Sequence, residues 1–260
     1  FRRLAAFPGG VSLEAVDDVC EADLDDLLSL VAKSLVRQTA VDGGEPRYWM
    51  LETIREFAAD ELTASGERAA VEERHTGFFS VLAGEAREGL EGARSGEWLA
   101  RVELDLANLR AAFAHAKQAG RRDAAATLAT ALSLRHFLRG RYSEVEEVSR
   151  RAIELDPEPL ERAALQGGLA RSLRLQGRPR EALDAFEAAE LTLEGVADRG
   201  SAWWEQWLDV ELAKASFYYF ENRQEELAAL VEELEPLVAR HGSAVQELDF
   251  LHLQAVVAGE

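Results

Sequence analysis

Apolar residues recur at helical spacing along nearly the whole chain, and one short segment near the start breaks that rhythm. "SLEAVDDVC" (12–20) opens on a Ser cap and places Leu13, Val16 and Val19 on one face, which predicts a short helix. "ADLDDLLSLVAKSLV" (22–36) carries Leu24, Leu27, Leu28, Val31 and Leu35 at i, i+3, i+4 spacing, a stronger helix. "LVRQTAV", the turn "DGGEP" and "RYWML" then read as two strands of a hairpin. With no Gly, Pro or Asn between, Ile54, Phe57, Ala58 and Leu62 return to helical spacing, and Gly66 stands where a C-cap is needed. "FRRLAAF" reads as the end of an earlier helix, stopped by "PGG". Helix, helix, helix, hairpin, helix is winged-helix order, and it fills residues 1–66.

Residues 67–119 are predicted helical throughout, as a linker region. Val71, His75, Phe78, Phe79 and Leu82 form one stripe, and Trp98, Leu99, Val102, Leu106, Leu109 and Phe113 form another. Residues 120–260 are helical too, punctuated by "LRGRYS", "LDPEP", "LQGRPR", "ADRGS", "FENRQ" and "RHGS". Aligning "ALSLRHFLRGRYSEVEEVSRRAIELDP" with "GLARSLRLQGRPREALDAFEAAELTLE" sets Gly140 on Gly177, Tyr142 on Pro179, Val145 on Ala182, Ser149 on Phe186 and Ala152 on Ala189. Each unit is a helix, a Gly-centred turn and a second helix, which resembles the tetratricopeptide repeat. A weaker third unit runs from about Ser201 to Gly242 with Asn222 at its turn. "SAVQELDFLHLQAVVAGE" starts a fourth that the end of the chain cuts off. The expected fold is predominantly all-α: a winged-helix domain with a small β-hairpin, then a tetratricopeptide-like α-solenoid over 120–260.

Charge narrows the choice of partner. The 260 residues have a net charge of −19, and nucleic-acid affinity comes largely from cations that neutralise phosphates. Residues 1–66 hold six Lys/Arg against thirteen Asp/Glu. The helix at 22–35, where a reading helix would lie, has Asp23, Asp25 and Asp26 against Lys33 alone, and Arg37 and Arg47 on the hairpin do not reverse that. Nucleic acid is therefore an unlikely partner, and an anionic membrane surface is disfavoured for the same reason. No apolar run approaches the ~18 residues a membrane span needs. The lone Cys20 allows no intramolecular disulfide and fits a cytoplasmic protein. The chain opens on "FRRLAAFPGG" without an initiator Met, as expected of a piece of a longer protein.

Catalytic signatures are missing from the sequence. The five His residues (75, 115, 136, 241 and 252) sit on separate helices, so no metal site is expected. No GxGxxG, P-loop or GxSxG occurs. Acidic runs such as "EELEP" and "DVELA" read as solvated helix faces. The aromatic segment "AWWEQWLDVELAKASFYYFE" is mostly packing, since one helix cannot expose so many rings. Phe137, Arg171, Arg174 and Tyr219 fall on inward positions of the first repeat helices, where a concave face takes partners, and the Arg pair beside aromatics suits an acidic peptide or anionic ligand.

The strings "FRRLAAFPGGVSLEAV", "LVAKSLV", "LETIREFAADEL", "RHTGFF" and "LDLANLRAAFAHA" stand in an order that resembles the C-terminal part of bacterial STAND (NB-ARC-type) signal-transduction ATPases and transcriptional regulators with tetratricopeptide repeats. In NB-ARC proteins the junction after the wing carries Met-His-Asp, whose His senses bound ADP. The matching residues here are Met50, Leu51 and Glu52, and Leu51 cannot donate to a phosphate. The resemblance implies a non-catalytic regulatory part. Its winged helix would dock on the protein's own nucleotide-binding domain, and its repeats would bind a protein or small-molecule inducer. ATP or ADP is expected only in an upstream domain, with no cofactor in this chain. A DNA-binding winged-helix transcription factor and a plain repeat scaffold are the alternatives.

Overall fold

Ser12 caps the first α-helix as the sequence predicts, its hydroxyl oxygen accepting the Ala15 amide at 3.2 Å. Helix α1 (Leu13–Cys20) buries Ala15, Val16 and Val19. Asp23 caps α2 (Leu24–Ala32) in the same way, accepting from the Asp26 amide at 2.9 Å. Strand β1 (Val36–Thr39) pairs antiparallel with β2 (Arg47–Met50), Val36 opposite Met50 and Thr39 opposite Arg47. This computed structural model describes residues 1–40, 45–92 and 94–259. The expected turn "DGGEP" lies partly outside the described residues, at Asp42–Gly44. Helix α3 (Glu52–Ala64) follows β2 after Leu51 alone, and Gly66 beyond its end takes a left-handed φ of 74°.

Three local expectations for this region need correction. "FRRLAAF" forms a 3-10 helix, Arg2–Ala6, and not the end of an α-helix. On α2 only Leu27 is buried, while Leu24 and Leu28 are 42% and 43% exposed. Phe57 is 58% exposed. Helix α3 packs on the 3-10 helix through Ala58 and Leu62, and Phe57 falls beside that contact stripe.

Helices α4 (Arg68–Glu91), α5 (Ser95–Leu104), α6 (Leu106–Gln118) and α7 (Arg122–Leu138) follow. The stretch expected to be helical throughout is broken at Asp105, whose φ of −104° and ψ of 8° leave the helical region. Backbone contacts divide the chain into two compact units, Phe1–Arg135 and His136–Glu260.

The second unit contains α8 (Tyr142–Ile153), α9 (Pro159–Leu175), α10 (Pro179–Glu194), α11 (Ser201–Phe220), α12 (Gln224–His241) and α13 (Ala244–Ala258). Three turns share one geometry. Gly140, Gly177 and Asn222 have φ of 68°, 74° and 56°. The next residue's amide (Arg141, Arg178, Arg223) donates to the carbonyl five residues back (His136, Leu173, Tyr218) at 2.9–3.0 Å. Counted from those turns, Val145, Ala182 and Leu227 are equivalent and buried, as are Ser149, Phe186 and Val231, and Ala152, Ala189 and Leu234. Each Arg also reaches the Glu three residues on: Arg141 to Glu144 at 3.9 Å, Arg178 to Glu181 at 2.5 Å and Arg223 to Glu226 at 2.7 Å. The third unit is thus as regular as the first two. The fold is predominantly all-α, a winged helix with a two-stranded hairpin and a tetratricopeptide-like repeat array.

Candidate functional site

The strand-to-helix junction owes its position to a buried polar network. Arg47, at the start of β2, forms an ion pair with Asp105 in which both side chains are 8% exposed. Its Nη1 donates to Asp105 Oδ2 at 3.1 Å and its Nη2 to the Gly10 carbonyl at 2.5 Å. Asn108, one turn along α6, donates from Nδ2 to the Gly10 carbonyl at 3.0 Å and to Asp105 Oδ1 at 3.1 Å. Its Oδ1 accepts the Gly9 amide at 3.2 Å. The Trp49 ring lies so close to Gly10 that a Cβ there would sit 2.4 Å from it. The helix break at Asp105, the "PGG" turn and β2 are therefore one construction. Sequence reasoning missed it, although Asp105 and Asn108 stood at i, i+3 inside an apolar stripe.

At the junction itself, Leu51 is extended (φ −63°, ψ 145°) and 41% exposed. Met50 lines a cleft with Leu4, Phe7, Val11, Val36 and Tyr48. Glu52 opens α3, and Arg55 donates to both its oxygens, at 3.1 and 2.5 Å. Those hydrogen bonds hold the Glu52 carboxyl below the usual carboxylate range. Met50 is half-buried, Leu51 and Glu52 are exposed, and the Arg55 guanidinium beside them is bound to Glu52.

The cations of residues 1–66 are largely committed. Arg2 and Arg3 both bind Glu67, at 3.0 and 3.1 Å, and Arg3 also reaches Glu21 at 2.6 Å. Hydrogen bonds from Arg3 and then Arg2 pull the Glu67 carboxyl down to about 2. Arg47 is buried with Asp105, and Arg55 is on Glu52. His75 is fully buried between Phe7 (5.2 Å), Phe79 (4.6 Å) and His115 (5.9 Å). Burial, helped by His115, pushes its imidazole down to about 3, so it packs as a neutral ring. Cys20 is buried and its thiol is pushed up to about 12 by desolvation. Among the described residues no three His, Cys, Asp or Glu side chains converge as metal ligands.

Of the expected partner-binding residues in the second unit, Phe137 and Arg171 meet each other, and Arg174 and Tyr219 each meet Phe220. The Arg171 guanidinium lies 5.5 Å from the Phe137 ring centre, and Arg174 lies 4.4 Å from Phe220, whose ring is 5.0 Å from Tyr219. The aromatic segment of α11 is mainly packing: Trp203 and Phe217 are buried, and Trp204 stacks on His241 at 4.1 Å. The run "DVELA" departs from its expected solvated face. Glu211 is 4% exposed, and burial, then the nearby Glu190 carboxylate, raises its carboxyl to about 8. Lys214 forms an ion pair with Glu190. Counted from the turns, Glu211 and Lys214 occupy the positions of Gln166 and Leu169 in the preceding repeat.

Residues 1–63 match the family model described as a winged helix-turn-helix domain. Three curated proteins are similar, one from Mycobacterium bovis and two from strains of Mycobacterium tuberculosis, each titled "Putative HTH-type transcriptional regulator". Each is 39% identical over 139 residues, covering 51% of this chain and 15% of its own length. A crystal structure from Pyrococcus horikoshii, a STAND protein with a tetratricopeptide repeat sensor, aligns over 100% of this chain and 41% of its own, with 14% identity and a TM-score of 0.48. No helix among the described residues is long and apolar enough to cross a membrane. The resemblance read from the ordered strings is borne out as far as a winged helix-turn-helix domain at residues 1–63 ahead of tetratricopeptide-like repeats, in a chain similar to proteins titled putative HTH-type transcriptional regulators.

Proposed function

We propose that the chain is a non-catalytic regulatory part of a larger regulator, its winged helix docking on a nucleotide-binding domain and its repeats taking an inducer or protein partner. The surface of α2 carries this reading. A base-reading helix presents donors within a cationic frame. Helix α2 presents Leu24 and Leu28 beside Asp25 and Asp26. Of the six cations in residues 1–66, only Lys33 and Arg37 have no ion pair among the described residues. Exposed Leu next to carboxylates suits a protein contact better than a phosphate backbone. In this reading Met50, Leu51 and Glu52 connect the docked winged helix to α3 and sense no phosphate. A partner on the repeats acts by preferring one of two states of the whole regulator.

A second reading, duplex DNA binding, is favoured by the family match itself, because winged helix-turn-helix is a DNA-binding architecture. It needs Lys33 and Arg37 to carry the phosphate contacts. Fluorescence anisotropy with labelled duplex DNA separates the two. The docking reading expects nothing tighter than the non-specific range of about 10⁻⁴–10⁻⁶ M at physiological salt. Tighter, steeply salt-dependent binding that disappears in K33E/R37E would establish the DNA reading instead. ATP turnover by the purified chain would end the non-catalytic assignment.

A further inference from the structure

One exposed apolar position recurs at the end of the first helix of each repeat. Two residues before the left-handed turn residue stand Leu138, Leu175 and Phe220, 45%, 38% and 61% exposed. Single exposed apolar side chains are ordinary, but the same exposed position filled by a large apolar residue in three successive repeats makes a row. Cationic contacts run beside it: Arg171 against Phe137 and Arg174 against Phe220. Arg171, Arg174 and Arg180 have no carboxylate partner among the described residues, unlike the capping Arg178, which binds Glu146 and Glu181. The local charge is weakly cationic. Residues 136–180 hold nine Arg and seven Asp/Glu, a net of +2, in a chain of net −19.

We propose that this edge binds an acidic peptide segment, its Leu or Phe side chains resting on Leu138, Leu175 and Phe220 and its carboxylates meeting Arg171, Arg174 and Arg180. The proposal rests on the reading that the repeats take a partner, and it specifies that partner's chemistry. Two aliphatic members of the row argue against nucleic acid, because bases stack on aromatic faces and guanidinium planes and gain little from Leu. Carboxylates suit guanidinium groups that have no carboxylate partner of their own. Helices α9 and α11 pack directly on each other, at about 8–10 Å for ordinary helix contacts. A polyproline-II segment advances about 9.3 Å in three residues. The matching ligand therefore sets an apolar residue at every third position, with acids between.

The test uses the full chain and a fluorescein-labelled pool of peptides, each about twelve residues long to span the row at ~3.1 Å per residue. The pool has Leu or Phe at every third position and Asp or Glu elsewhere; a control pool carries Lys in place of the acids. Binding of the acidic pool, weakened about tenfold or more by R171E/R174E and also by L138S/L175S/F220S, supports the proposal. The substituted side chains are exposed or half-buried, and circular dichroism of each variant checks that the helices persist. Equal binding of both pools, no binding of the acidic pool, or binding indifferent to the Leu/Phe substitutions overturns it. If the Lys pool alone binds and F220S abolishes it, the repeats still take a peptide and only the acidic chemistry fails. Preferential binding of a single-stranded oligonucleotide to the same edge overturns the peptide class altogether.

Discussion

The two units are both built from helices, yet different physics fixes their geometry. In Phe1–Arg135 the decisive contacts are singular: Arg47, Asp105, Asn108 and the Gly9–Gly10 backbone meet once and are separated by up to 99 residues in sequence. In His136–Glu260 the decisive contacts recur: the same turn, the same capping Arg with its Glu, and the same buried triad appear three times. A singular network is irreplaceable, because no neighbouring copy does the same job. A repeated one is robust locally, since each unit contacts only its neighbours. The second unit can therefore tolerate an irregular position such as Glu211, while the first has little room for one at Asp105.

The sharpest way to break the contrast is Asp105→Ala. It leaves Arg47 buried without its carboxylate, and loss of one partner of a buried pair costs about 3–5 kcal/mol. Urea denaturation followed by far-UV circular dichroism should show that loss in the midpoint. A change below about 1 kcal/mol would mean that the pair behaves as a solvated surface bridge. Asn108→Ala is expected to cost less, about 1–3 kcal/mol, because it strands the Gly9 amide while the Gly10 carbonyl and Asp105 keep Arg47 as a partner.

The irregular position in the repeats gives the next effect. Glu211 is surrounded by Glu190 from α10, Lys214 from its own helix and Glu233 from α12. Its folded-state value, about 8, lies well above the ordinary carboxylate range. A raised value means the folded state holds the proton more tightly, so stability is full below the unfolded value and is lost as pH rises to about 8. Wild-type protein should lose on the order of 2 kcal/mol from this group between pH 5 and 8, while Glu211→Gln keeps the shape without the ionisation. Thermal melts across that range should converge at pH 5 and separate at pH 8, with the variant the more stable. Parallel pH profiles would place Glu211 in contact with solvent.

These two effects also mark the limit of what the sequence could reveal. The winged-helix order, the repeats and the third turn at Asn222 follow from periodicity and turn residues, which are local signals. The left-handed turn residues Gly140 and Gly177 announced themselves because few other residues accept that backbone. Arg47, Asp105 and Asn108 carried no such signal, since their pairing depends on segments brought together only by folding. Phe57 was placed inward because an isolated helix has one apolar stripe, whereas the partner of α3 is a short 3-10 helix that covers only Ala58 and Leu62. Glu211 looked solvated because acidic residues usually are. Its burial follows from three helices crossing at its position, with Lys214 and Glu190 close enough to make that tolerable. The capping ion pairs were legible in "RYSE", "RPRE" and "RQEE", and only the third turn's geometry made the spacing evident.

The smallest effects test whether the three repeat turns are equivalent. A Cβ built on Gly177 meets no atom within 4 Å, so Gly177→Ala should act through its φ of 74° alone. The left-handed conformation costs an L-residue roughly 1–2 kcal/mol. The narrower unfolded ensemble of Ala returns about 0.4–1 kcal/mol of that. A net loss of about 1 kcal/mol is expected, read as a lower melting temperature by the fluorescence of Trp203, Trp204 and Trp207 on α11. Asn222→Gly is the reciprocal change. Asn accepts the left-handed φ of 56° more readily than most L-residues, so relief of strain and added unfolded-state entropy nearly cancel, within about 0.5 kcal/mol. Equivalent turns require both results together. If Gly177→Ala is neutral while Asn222→Gly stabilises strongly, strain is concentrated at the third turn. The irregularity at Glu211, one helix earlier on the same repeat, would then extend to the backbone, and the third repeat would share the singular character of the first unit.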